Sequence, residues 1–223
     1  MLLGARQFFE RRGAKVPTAA DYVQTGLVAM WDGIENAGWG VHNPNATVWK
    51  NLVNGDTFNI KSGNSFSADA LVTTVRTDYG AVPMYSVTEE NAYTFEVVGA
   101  SLVSGTNIGG LPYSGGPVFN AFANWSATSS YCTACGGNMS VNDSGPVGKR
   151  KSFGLRVSGD SWTLFSAMFG VEKSGTWTKT ASRYGGTVNA NVEECSIRLY
   201  SRALTAAEIA HNYAIDKLRF NLS

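Results

Sequence analysis

The sequence predicts an all-β fold, an antiparallel β-sandwich of the jelly-roll kind that ends in a short C-terminal helix and begins with a short N-terminal arm. Three observations predict it. Apolar residues recur in short runs or with period two, and each run is closed by Gly, Asn, Asp or Pro, the pattern of strands and tight turns. The 25 Gly, 9 Tyr, 11 Phe and 6 Trp favour pleated, half-buried surfaces and reversals over long helices. No helical pattern separates one run from the next, which argues for antiparallel neighbours and against a βαβ sheet. The chain has 223 residues, a length that one β domain accommodates.

Residues 1–20 stand apart from the rest. Leu2, Leu3, Phe8 and Phe9 alternate with Arg6, Arg11 and Arg12, and Gly13 to Pro17 follow as a linker. This reads either as an anchor for another protein or as a tail on its own domain. The sandwich is expected over 21–223. Leu27 to Trp31 is its first clear strand, ended by Asp32-Gly33. Thr47 to Leu52 runs into Asn54-Gly55, a dipeptide suited to a hairpin reversal. Tyr93 to Val98 alternates so that Tyr93, Phe95 and Val97 share one face and Thr94, Glu96 and Val98 the other. Ser152 to Val157, Trp162 to Phe169, Thr176 to Lys179 and Cys195 to Tyr200 continue the series, for at least eight strands. Thr205-Ala206-Ala207-Glu208 is a capping box, so a helix starts there, with Ile209, Tyr213 and Leu218 as its apolar positions. Lys217 and Arg219 suit the negative pole of its dipole.

Composition excludes several partners. A formal net charge of +1 supplies no field for nucleic acid or an anionic membrane, and no run reaches the ~20 apolar residues of a spanning helix. Lys149-Arg150-Lys151 is expected to be a solvated loop, and Glu89-Glu90 and Glu193-Glu194 solvated strand-end charges. The three cysteines form no disulfide framework. Cys132 and Cys135 sit in a Ser/Thr/Gly-rich stretch, and with only Cys195, His42 and His211 scattered elsewhere a zinc set is incomplete. The N-terminus lacks the pattern of a secretory signal, so export inside a larger particle is the expected route.

Cys195-Ser-Ile-Arg-Leu-Tyr-Ser-Arg-Ala-Leu-Thr-Ala-Ala-Glu-Ile209 closely resembles the closing strand and short helix of laminin-G-like domains of the concanavalin A-like superfamily. Gly26 to Gly33 resembles the opening strand, and Trp49-Lys50-Asn51-Leu52 the Trp-x-Asp-Leu segment, with Asn51 in the Asp position. The resemblance spans about residues 22–215. The start, Met-Leu-Leu-Gly-Ala-Arg, resembles small structural proteins of bacteriophages and prophages of gut bacteria.

The resemblance implies carbohydrate binding or adhesion on a virion or cell surface, with a glycan or cell-surface polysaccharide as partner. Residues 1–20 would contact other virion proteins, and a homo-oligomer stays open. It also makes calcium the candidate cofactor, through Asp32 and Glu35 with Asn36 beside them. Sugar binding asks for an exposed aromatic plane and polar groups that bond hydroxyls. Trp39, between Gly38 and Gly40, fits that role or that of a lid over the sandwich edge. Asn36, His42, Tyr113, Trp125 and Tyr184 complete the candidate ligand-binding set; His42 is most simply a loop hydrogen-bonder. The superfamily's glycosidases carry Glu-x-Asp-x-x-Glu, which is absent here, and no nucleophile has an evident histidine. The chain is therefore expected not to be an enzyme. A structural decoration protein is the alternative reading, and a hydrolase using Glu96 or Asp160 the second.

Overall fold

A computed structural model describes residues 15–75, 77–78, 92–113, 116–126, 129–134, 137–142, 147–176 and 187–222. After a 3-10 turn at Ala19–Asp21 come β1 (Leu27–Asp32), β2 (Val48–Lys50), β3 (Thr57–Asn59), β4 (Ser65–Phe66), β5 (Leu71–Thr73), β6 (Thr77–Asp78), β7 (Ala92–Ser101) and β8 (Asn107–Tyr113). Then follow β9 (Gly116–Ser126), β10 (Ser129–Ala134), β11 (Gly137–Asn142), β12 (Lys151–Ser158), β13 (Ser161–Ser166), β14 (Val171–Thr176), β15 (Thr187–Val188), β16 (Val192–Tyr200) and the helix α1 (Ala206–Arg219). One sheet runs β14-β13-β12-β7-β16-β5-β4, with β1 also on β16, and the other runs β11-β10-β9-β8-β15-β6. The described pairs are antiparallel, so the fold is the expected all-β sandwich with a C-terminal helix.

The alternation of β7 shows how the layers are assembled. Tyr93, Phe95 and Val97 enter the main core, with Trp31 and Leu71 from the same sheet and Ile108, Cys132 and Met139 from the other. The opposite face is dressed by the C-terminal segment: Thr94 Oγ1 donates to the Arg202 carbonyl at 3.0 Å and accepts from Leu204 N at 2.8 Å. β1 and β5 share one edge of β16, Asp32 lying opposite Ser196 and Leu71 opposite Glu194. The segment from Trp49 to Leu52 then folds over β1. Asn51 Oδ1 accepts from Met30 N and Val53 N, both at 3.0 Å, and Trp49 donates its ring N–H to the Asp32 carbonyl at 3.1 Å.

The capping box forms, with Glu208 N donating to Thr205 Oγ1 at 3.3 Å and Thr205 N to the Glu208 carboxylate at 2.8 Å. The buried face of α1, however, differs from its apolar spacing. Leu218 is exposed, while Ile209, Asn212, Ile215, Asp216 and Arg219 are buried. The cause lies beneath the helix. Arg198 on β16 is fully buried, and its Nη1 and Nη2 donate to the two Asp216 oxygens at 2.7 Å while its Nε donates to Glu96 at 3.1 Å. The Tyr22 ring lies 4.2 Å from that guanidinium, and its hydroxyl donates to Asp216 at 2.6 Å. Because a guanidinium keeps its proton under all ordinary conditions, the helix has to turn its carboxylate inward.

Other expected surface charges are also interior. Lys151 is buried on β12 and donates to Ser130 Oγ at 2.8 Å, and Arg150 bonds Asp69 at 2.8 Å and Glu193 at 3.0 Å. The basic run is thus a strand start stitched to its neighbours, not a solvated loop. Cys132 lies buried on β10 rather than in a loop, and Cys195 is buried as well; both are free thiols, and burial pushes the Cys132 thiol up to about 12. Cys135 and Glu89-Glu90 lie outside the described residues. Glu194 is fully buried and neither carboxyl oxygen has a partner among the described residues.

Burial pushes the Glu194 carboxyl well above its ordinary value of 4.5. The folded chain then keeps a proton that the unfolded chain releases, so stability is full below pH 4.5 and declines as pH rises toward the raised value. The slope contributed by this one group approaches about 1.4 kcal/mol per pH unit. Glu194→Gln keeps the shape without the titration and is expected to flatten that decline in urea unfolding between pH 5 and 9. An unchanged slope in the variant would assign the proton to another group.

Candidate functional site

The loop joining β1 to β2 is built from its own side chains. Asp32 Oδ1 accepts from Ile34 N at 2.9 Å and Glu35 N at 3.0 Å, an Asx-type turn that starts the loop. Gly33 is needed there, since a Cβ would lie 2.5 Å from the Asp69 carbonyl oxygen. Glu35 reaches in two directions: its Oε1 accepts from Ala19 N and its Oε2 from Gly40 N, both at 2.7 Å. Asn36 closes the loop base, donating to the Asn43 carbonyl at 2.8 Å and accepting from Asn43 N at 2.7 Å. Its own carbonyl accepts from Lys50 N at 3.1 Å. The tip turns tightly, with Val41 N bonded to the Gly38 carbonyl at 2.9 Å and φ of 143° at Gly38 and 70° at Gly40.

Trp39 sits on that tip and is 44% exposed; Val41 beside it is 51% exposed. His42 Nδ1 pairs with the Ile34 carbonyl at 3.0 Å. The structure therefore brings Asn36, Trp39 and His42 onto one loop. Asn36 is fully buried and spends its amide on the loop. Tyr113 ends β8 and Trp125 stands on β9, both in the other sheet. Tyr184 lies outside the described residues.

Asp32 and Glu35 do not fit calcium. Arg219 donates to Asp32 Oδ1 at 2.7 Å and to Glu35 Oε1 at 3.1 Å, so the charge a cation would use already faces a guanidinium. Backbone N–H groups take the remaining Glu35 oxygen and share Asp32 Oδ1. Arg219 also donates to the Pro17 carbonyl at 3.0 Å, which ties residues 17–22 into the same knot. Its sequence reading as a helix-dipole charge missed this role. Among the described residues no cluster of three His, Cys, Asp or Glu could hold a metal ion.

Two features escaped the sequence. A solvent-open groove of about 300 Å³ lies between Pro44–Thr47 and the Ile60–Ser65 turn, with Asn45, Thr47, Ser62 and Asn64 in its walls. Lys50 lies between two turns, its Nζ 4.0 Å from where a Cβ on Gly38 would stand. Neither carries a motif; only the hairpin's return beside the loop brings these residues together. Glu96 and Asp160, the carboxylates of the hydrolase reading, stand apart in kind: Glu96 is buried against Arg198 and Asn212, and Asp160 is exposed between β12 and β13.

No family model matches the chain, and no curated relative matches it. Its fold is similar to solved structures of Trypanosoma rangeli sialidase. One is 14% identical, with a TM-score of 0.60, over 93% of this chain and 34% of that one. A complex of that sialidase with sialic acid is 12% identical with a TM-score of 0.61 over the same shares. A mutant of it displaying trans-sialidase activity is 12% identical with a TM-score of 0.61, over 96% of this chain and 38% of that one. The chain thus spans about a third of the length of the sialidases it resembles. This corrects the expectation that the chain is not an enzyme, which rested on a missing carboxylate motif and a missing histidine: the fold also occurs within enzyme chains. At this identity the likeness shows the fold alone.

Asn36→Ala removes both bonds to Asn43, an expected cost of about 1–3 kcal/mol in urea unfolding. Amide exchange at Gly40, Val41 and Asn43 is expected to quicken at least about tenfold. Unchanged exchange at these amides would show that the loop is held by other contacts.

Proposed function

We propose that this chain is a glycan-recognition module whose binding face is the Trp39 loop. The observation that carries the reading is a large indole exposed to solvent on a loop whose base is fixed by the side chains of Asp32, Glu35 and Asn36. An exposed aromatic plane gains from stacking only if it is already in position, since ordering it at the moment of binding costs affinity. The nearby groove, with amide and hydroxyl side chains in its walls, is compatible with a polyhydroxylated ligand.

The similarity to sialidase structures supports a sandwich of a kind found in proteins that handle glycans, and it favours a second reading in which the sandwich accompanies or belongs to a glycan-cleaving chain. The finer reading is a laminin-G-like module. Its support is the run from Cys195 to Ile209, which here builds β16 and the capped start of α1. Display on a phage virion or cell surface through residues 1–20 rests on the resemblance of the first residues alone.

A glycan array probed with the chain is expected to give binding that Trp39→Ala weakens by at least roughly fivefold, about 1 kcal/mol, without loss of folding. Silence across the array would favour the decoration-protein reading. Release of product from any glycan would favour the second reading.

A further inference from the structure

Lys50 lies between the Trp39 loop and the turn that follows β2. It starts from β2, pairs across to Thr57 on β3, and sends its side chain outward, since Trp49 next to it points into the core. Two turns flank its path. A Cβ on Gly38 would lie 4.0 Å from Nζ, and one on Gly55 would lie 3.8 Å from Cε. Three exposed apolar side chains, Trp39, Val41 and Val53, belong to these same two turns. Lys50 is only partly exposed, yet among the described residues its ammonium makes no ion pair or side-chain hydrogen bond. Asp56, the carboxylate of the adjoining turn, is bonded instead by the Asn54 amide at 2.7 Å.

Lys50 is a partly buried lysine whose charge no carboxylate among the described residues takes, which leaves its ammonium available to an anion from outside. Here no acceptor is paired with it among the described residues, and the two turns that flank it carry the exposed apolar side chains Trp39, Val41 and Val53. A ligand that matches must carry an anion and an apolar face within one small unit. An acidic pyranose does so: its C–H face lies on an indole while its carboxylate accepts from an ammonium.

We infer that the Trp39 loop and Lys50 together select carboxylate-bearing sugars over neutral ones. The inference rests on the glycan-recognition reading and names the substrate class for that site. Lys50 acts as the specificity-determining residue and Trp39 as the platform common to acidic and neutral rings. The charge is screened at the surface, so the preference shrinks as salt rises.

The test uses a glucuronic-acid-containing oligosaccharide and its carboxyl-reduced counterpart, titrated calorimetrically into the whole chain at low and high salt. The expected result is binding of the acidic form about tenfold tighter than the reduced form at low salt, as one charge-assisted hydrogen bond supplies. Lys50→Gln is expected to bring the acidic form down to the affinity of the reduced one, and Lys50→Arg to keep the preference. Trp39→Ala is expected to weaken both. Equal binding of both forms by the unaltered chain, with Lys50→Gln without effect, overturns the inference and leaves glycan recognition standing. Binding of neither form, with a silent glycan array, overturns both.

Discussion

A guanidinium that cannot lose its proton sits at the centre of this protein with no solvent around it. Arg198 on β16 must be met by acceptors wherever the chain can provide them, and it finds them on three separate elements. Glu96 comes from β7, Asp216 from α1 and Ser196 from its own strand, at 3.1, 2.7 and 3.1 Å. Tyr22 from the N-terminal side stacks on its plane. Asn212 completes the set by donating to Glu96 at 2.8 Å and to the Tyr200 hydroxyl at 2.9 Å. Meeting that one charge therefore fixes how the helix lies on the sheet and where the N-terminal segment runs.

The helix itself carries a guanidinium, Arg219, about one turn after Asp216, and this one reaches the Trp39 loop. Arg219 is where α1, the segment at Pro17 and the base of the Trp39 loop meet. Four carboxylates, Asp32, Glu35, Glu96 and Asp216, are thus arranged around two arginines. Replacing such a cluster by well-packed hydrophobic residues is often neutral for stability, whereas removing one partner alone leaves a buried charge and is costly. The cluster is better understood as a device for position: it admits one placement of α1, and through Arg219 that placement reaches the loop.

Much of the fold was legible because strand patterns record which face is buried. Tyr93, Phe95 and Val97 alternate with polar neighbours, and that alternation is the division between the core and the helix side. The Thr205–Glu208 box was legible because it is local chemistry, complete within four residues. The face of α1 was not. Apolar spacing pointed to Leu218, while Asp216 and Arg219 are buried by partners far away in sequence that periodicity cannot see. Lys151 and Glu194 were misread for the same reason, since a charged residue is exposed only when no distant group, or no dense core, encloses it. The candidate site was half legible. Trp39 was marked by its flanking glycines, but the task of Asp32 and Glu35 depended on an arginine 187 residues after Asp32. Lys50 joined the loop only through the fold of the β2–β3 hairpin.

The central claim is that Arg198 and Asp216 act as one unit in fixing the helix to the sheet. A double-mutant cycle with Arg198→Met and Asp216→Leu, read by urea unfolding, measures this directly. The account predicts single substitutions that each cost about 3–5 kcal/mol and a double variant that recovers a large part of it, a coupling of at least about 1.5 kcal/mol. Single effects that simply add, within about 0.5 kcal/mol, would mean that the helix is held by its apolar contacts and that the buried pair is incidental.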